Sequence, residues 1–234
     1  MARSSRQDQS PNQMTSKQDD NPFIYCNQVV AGIDLSLRSP AVTILNPTTE
    51  QGFLVKFNQC HSYYLTDKSK NILSTENITG SLFGAWETQE ERYETIAEWV
   101  ISILQKHKIK SVGLEDYAYS KSISSLTPLA ENMGLLKYFL WKNDISYDLY
   151  APSSIKKCAT GKGNADKQAM KDAFYQDNND FDIMALFNKK PIDKVISPIH
   201  DIIDSYYICL SERVATGVQN RNYEKGEPHV KKHK

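Results

Sequence analysis

The chain has 234 residues, a mass of 26.7 kDa and 40% hydrophobic residues, enough for one domain with a core of useful size. No run approaches the roughly 20 apolar residues of a membrane-spanning helix, which excludes that class of membrane protein. Twenty-eight basic residues balance 28 acidic ones, which excludes a protein that holds nucleic acid by bulk charge but leaves room for a local basic patch.

Residues 1–26 are polar and aperiodic, and are expected to be a disordered extension. They contain no apolar signal segment, and Asp8, Asp19 and Asp20 argue against a mitochondrial transit peptide. Cys26, Cys60, Cys158 and Cys209 form no C-x-x-C pair and read as reduced thiols. These features place the chain in a cytoplasm, the host's if the chain is viral. Without a secretion signal, the sequon at Asn77 is a chance match.

One domain is expected over 27–217, followed by a basic flexible tail over 218–234. Gln28–Leu35, Ala41–Leu45 and Gly52–Phe57 read as three strands of a meander, on their apolar and β-branched content. The polar stretch at about 60–86 is longer than an ordinary connection and reads as an insertion. Thr88–Lys108 is a helix, with Thr88 and Glu91 in capping-box spacing and Ile96, Val100, Ile103 and Leu104 on one face. Ser111–Glu115 is a short buried strand. A helix is expected from Pro128 to Lys142, capped by Thr127, then a strand at Ser146–Tyr150. A helix beginning at about Lys156 is broken by Thr160-Gly161-Lys162-Gly163, and a second is capped by Asn164. Residues 177–197 read as a second insertion with one helical turn near Ile183–Phe187. The last helix opens at Ser197-Pro198 and runs to about Ala215. Three meandering strands followed by βα units imply a mixed α/β sheet with helices on both faces.

Carboxylates mark the ends of these elements. Asp34 closes an apolar strand, and Glu115 closes another. Asp201 and Asp204 are spaced i, i+3, so they share a helix face near its N-terminus. Taken singly, each has a bland explanation as a turn residue, a solvated strand end or ordinary helix-start charge. Together they suggest a cluster of four acids. Such a cluster repels itself unless divalent cations offset the charge. All-oxygen ligands favour Mg²⁺ or Mn²⁺ over zinc. Two such ions about 3.5–4 Å apart suit phosphodiester hydrolysis.

Basic charge is concentrated elsewhere. Lys156, Lys157, Lys162, Lys167 and Lys171 face only Asp166 within Ala151–Lys171. That is either a solvated helix face or an edge that grips phosphates, with Gly161 and Gly163 opening backbone N–H groups to the ligand. Tyr117 and Tyr119, in the polar loop after Glu115, are either packing residues or stacking platforms for bases.

These motifs resemble the RuvC-like Holliday junction resolvases, including their phage and poxvirus branches. Gly32-Ile33-Asp34 is similar to the family's first-strand motif and Val112-Gly113-Leu114-Glu115-Asp116 to its glutamate strand. Thr160-Gly161-Lys162-Gly163-Asn164-Ala165-Asp166-Lys167 is similar to its T-G-x-G-x-A-x-K turn, and His200-Asp201-Ile202-Ile203-Asp204-Ser205 to its closing D-x-x-D-A, with Ser205 in place of Ala. The resemblance implies a ribonuclease H-like, five-stranded mixed sheet. It also implies two Mg²⁺ ions held by Asp34, Glu115, Asp201 and Asp204, functional lysines at Lys156 and Lys167, with Lys167 in the catalytic set, and an aromatic wedge near Tyr117 and Tyr119. The implied activity is resolution of four-way DNA junctions by a homodimer, part of whose contact lies on the helix bearing Leu129, Met133, Leu136, Phe139 and Leu140. Alternatives are a broader branched-DNA or flap nuclease of the same fold, an actin-like ATPase sharing Gly-Ile-Asp, and a catalytically silent junction-binding protein.

Overall fold

The computed structural model describes residues 29–45, 55–116, 123–179 and 181–224. Its centre is a six-stranded mixed sheet, one strand more than expected. The strands are β1 (Val30–Asp34), β2 (Ala41–Leu45), β3 (Cys60–Thr66), β4 (Ile78–Leu82), β5 (Ser111–Glu115) and β6 (Ser146–Tyr150). Their spatial order is β4-β3-β2-β1-β5-β6. The β1/β2 and β2/β3 pairs are antiparallel, while β3/β4, β1/β5 and β5/β6 are parallel.

The meander forms with β3 as its third strand; of the strand read at 52–57, residues 52–54 lie outside the described residues, and Val55 and Lys56 are in no strand. Phe57–Gln59 is a 3-10 turn, and Phe57 plugs the core against Phe174, Phe181 and Tyr206. The stretch at 60–86 that read as an insertion supplies both β3 and β4. Its polar residues fit because they are paired: buried Ser62 Oγ lies 2.7 Å from buried Thr43 Oγ1 on β2.

Among the described residues, six α-helices cover the two faces. The first, α1 (Gln89–Lys106), has the expected capping box: Thr88 Oγ1 accepts from Glu91 N, and the Glu91 side chain accepts from Thr88 N. Then α2 (Ile123–Lys142) starts five residues before Pro128, which sits inside it. In the second turn a proline removes one N–H bond without ending the helix, so Pro128 is not the boundary it resembled. Next, α3 (Pro152–Thr160) begins with proline in its first turn and ends at Gly161, whose φ of 76° is the left-handed cap glycine allows. For α4 (Lys167–Asp177) the cap is Asp166, not Asn164: its carboxylate accepts from Ala169 N at 2.8 Å. A single turn, α5 (Ile183–Leu186), matches expectation, and α6 (Ile199–Glu224) runs beyond the expected end at Ala215.

One core packs α1 and α2 on the sheet face bearing Ala31, Ile33, Val42, Ile44, Val112 and Leu114. The other packs α3, α4, α5 and α6 on the opposite face. The central element there is α6, whose residues 205–210 are all buried. It lies directly on β1. A Cβ at Gly32 would stand 2.1 Å from Cys209 N and 2.3 Å from Ser205 O. Only glycine permits this approach. Ser205, the departure from the resolvase motif, uses it: its hydroxyl is 2.7 Å from Thr43 Oγ1 and donates to Ile202 O at 2.9 Å.

Candidate active site

Strand register brings the first two acids together. Ile33 pairs with Leu114 in the parallel β1/β5 ladder, so Asp34 and Glu115 leave adjacent strands side by side. Period-2 alternation puts both on the α6 face, because Ile33 and Leu114 are in the opposite core. The close packing at Gly32 carries the start of α6 to the same place. Asp34, Glu115, Asp201 and Asp204 therefore line one cleft of about 520 Å³.

Lys156 on α3 and Lys167 at the start of α4 line the same cleft. Lys157 and Lys162 are exposed on the neighbouring surface. Lys171 is turned away from it: this lysine is buried, with Nζ 2.9 Å from Pro191 O and 3.1 Å from the Asp172 carboxylate. Lys171 therefore does not stand with the exposed lysines in this structure: its ammonium is taken up by a backbone carbonyl and the neighbouring carboxylate. Tyr117 and Tyr119 lie outside the described residues.

The acids are held in an environment that resists their charge. Burial, then Asp201, Glu115 and Asp204, push Asp34 well above the usual carboxylate range, with Lys167 acting the other way. Burial also raises Asp204 from 3.8 to about 6; His200, Lys167 and Lys156 oppose the rise and Asp201 adds to it. Asp201 is 1% exposed, and its Oδ2 is buried without a hydrogen-bond partner, while Oδ1 lies 3.2 Å from His200 Nδ1.

His200 is the functional candidate to which the sequence, though it places the residue beside the closing motif, assigned no role. It lines the cleft, and one of its ring nitrogens lies within 4.8 Å of carboxylate oxygens of Asp34 and Asp204. Its signal was present: His200 and Asp204 are spaced i, i+4 on one helix face. The site fits divalent cations. An orphaned buried carboxylate oxygen, mutually repelling acids and a converging oxygen and imidazole donor set all gain from a bound cation.

Comparison with known proteins agrees with this architecture. Residues 74–174 match the family model described as crossover junction endodeoxyribonuclease RuvC. The RuvC of Brachyspira hyodysenteriae is 28% identical over 95 residues, 40% of this chain and 59% of that protein. The RuvC of Treponema denticola is 31% identical over 85 residues, 36% of this chain and 48% of that protein. That of Chlamydia muridarum is 39% identical over 77 residues, covering 33% and 45%. The chain thus spans about half the length of these curated relatives. Among solved structures, Thermus thermophilus RuvC in complex with a Holliday junction substrate superposes with a TM-score of 0.54 at 15% identity, over 82% of this chain and 96% of that one. The middle of the chain is thus similar in sequence to RuvC, and the fold is the ribonuclease H-like one.

Proposed function

We propose that this chain is a divalent-metal-dependent, structure-selective endonuclease that resolves four-way DNA junctions, acting as a homodimer so that two opposed strands are cut. The observation that carries the reading is the convergence of Asp34, Glu115, Asp201, Asp204, Lys156 and Lys167 on one cleft of a RuvC-like fold.

Asp34, Glu115, Asp201 and Asp204 would hold two Mg²⁺ ions, with Mn²⁺ an alternative, and His200 stands ready as a further donor. When bound, such ions supply an activated water and charge stabilisation for an in-line attack on phosphorus. The chain's own residues do the rest. Lys156 and Lys167 neutralise the phosphate entering the cleft and hold its oxygens against the acids. Lys157 and Lys162 extend that grip along the backbone without reading sequence. Leu126, Leu129 and Met133 of α2 form an apolar wall that excludes water from the opposite side. Tyr117 and Tyr119 come two and four residues after Glu115 and are proposed to stack on bases at the branch.

The test is cleavage of a labelled four-way junction beside a matched linear duplex, in Mg²⁺ or EDTA, with Asp34→Asn in parallel. Paired symmetric nicks on the junction, lost in EDTA and in the variant, support the reading. Equal cutting of flaps, forks and junctions replaces it with a general branched-DNA nuclease. Junction binding without cleavage in any divalent cation refutes the chemistry.

A further inference from the structure

A second basic surface lies beside the cleft, on parts of the chain that the catalytic reading leaves unused. Residues 186–196 carry Lys189, Lys190 and Lys194 against Asp193 alone, and 67–73 carry Lys68 and Lys70 against Asp67. Among the described residues none of these five lysines is in an ion pair. Four of them are exposed and Lys189 is partly so. The two segments come together: a groove between them is lined by Lys70, Ile72, Lys189 and Ile196. Beneath it the Tyr64 and Phe187 rings lie 5.9 Å apart. The groove abuts the catalytic cleft, because Ser197 lines both.

The outer rim of this surface is a built turn. Asp193 N donates to Lys190 O at 2.9 Å, and Lys190 N donates to Asp193 Oδ2 at 2.8 Å. Pro191 takes the position where its fixed φ favours such a turn. The buried ammonium of Lys171 grips Pro191 O from below at 2.9 Å. Val195 is buried and anchors the far end. At the tip Ile192 is 89% exposed, the most exposed of the large hydrophobic side chains described. An ordered turn that holds an isoleucine in water between lysines has the make-up of a nucleic-acid contact: ammonium groups for phosphates, and an apolar tip for sugar or base faces.

We propose that Lys70, Lys189, Lys190 and Lys194, with Ile192 at the tip, form a second DNA-binding surface that seats one duplex arm of the branched substrate outside the cleft. This rests on the proposed junction reading and adds to it a contact remote from the scissile phosphate. Its partner is the phosphate backbone, so its signature is salt dependence. Each phosphate contact adds about 0.9 to the slope of log K against log salt.

The experiment measures binding of the full-length protein to fluorescent junctions with long or short arms, in EDTA, across a salt series. The triple variant Lys189→Ala/Lys190→Ala/Lys194→Ala should weaken long-armed junction binding roughly tenfold or more and lower the slope by about 2–3. The short-armed junction should be bound nearly as well as by wild type. Replacement of the same lysines by arginine should restore both quantities. Ile192→Ala should weaken binding and leave the slope unchanged, because an apolar contact releases no counterions. Unchanged affinity and slope in a folded triple variant, with wild type still cutting junctions, would overturn this surface and leave the junction reading intact. Equal losses on both junctions would place the lysines at the branch and also overturn it. Wild-type protein that binds linear duplex as well as junctions would refute the junction reading, while the lysine effect on slope would still test the surface.

Discussion

Replacing Asp204 by Asn should stabilise the metal-free protein while abolishing the proposed cleavage. In the folded chain this carboxyl is raised from 3.8 to about 6, mainly by burial. The folded state therefore holds the proton more tightly than the unfolded chain does. The sign follows by linkage: stability is fully retained below the unfolded value and falls as pH rises from about 4 through about 6. A shift of about two units corresponds to roughly 3 kcal/mol, spent in full at pH 7.5. That figure is already net of the attraction from His200, Lys167 and Lys156. Asn has the same shape and no charge. In EDTA at pH 7.5, Asp204→Asn should therefore melt roughly 6–12 °C above wild type. The difference should shrink towards zero near pH 4. Added Mg²⁺ should stabilise wild type by mass action and the variant much less, reversing the order. Calorimetry in EDTA and in Mg²⁺ at both pH values tests this. A variant that melts at or below wild type in EDTA at pH 7.5 would show that the acids do not strain the fold, and would refute the electrostatic argument for a cation site.

Four further outcomes are expected. Gly32→Ala should prevent folding, because its Cβ would meet the α6 backbone at 2.1 Å and no rotamer relieves that; soluble yield and far-UV circular dichroism read it. Ser205→Ala should cost about 1 kcal/mol, or roughly 2–4 °C, by removing the bond to Thr43; combining it with Thr43→Val should cost less than the two losses added, as a double-mutant cycle would show. Lys167→Ala should cut the junction cleavage rate by roughly 10²-fold while lowering the Asp34 carboxyl's tendency to ionise, since Lys167 is the one neighbour holding it down; single-turnover kinetics with a pH profile separate these effects. Tyr117→Ala/Tyr119→Ala should lose preference for junction over duplex in competition binding and leave stability unchanged.

Elements whose signals are local could be read from the residues alone. The capping box of Thr88 and Glu91 and the apolar stripe behind it set α1. Gly161 ended α3 where a left-handed residue was required. The four acids were legible because a carboxylate closing an apolar strand is costly without a partner, and because Asp201 and Asp204 share a helix face. The motifs around them carried the family resemblance, and the stretch matching the family model, 74–174, includes Glu115 and the glycine turn.

Tertiary structure decided the rest, wherever a residue's role depends on what lies across from it. Phe57 sits in an apolar run that reads as a strand, yet the cavity between Phe174 and Tyr206 claims it as a plug. Cys60–Thr66 reads as polar connection, yet Ser62 belongs in an interior strand because its hydroxyl pairs with Thr43, which in turn meets Ser205. Lys171 sits among lysines of similar appearance, and only the position of Pro191 O turns its ammonium inward. His200 gains meaning when Gly32 lets α6 lie on β1 and brings its ring to Asp34, 166 positions away in the chain. Local propensity is written in neighbouring residues. Long-range pairing is a competition among surfaces, settled only once the chain has closed on itself.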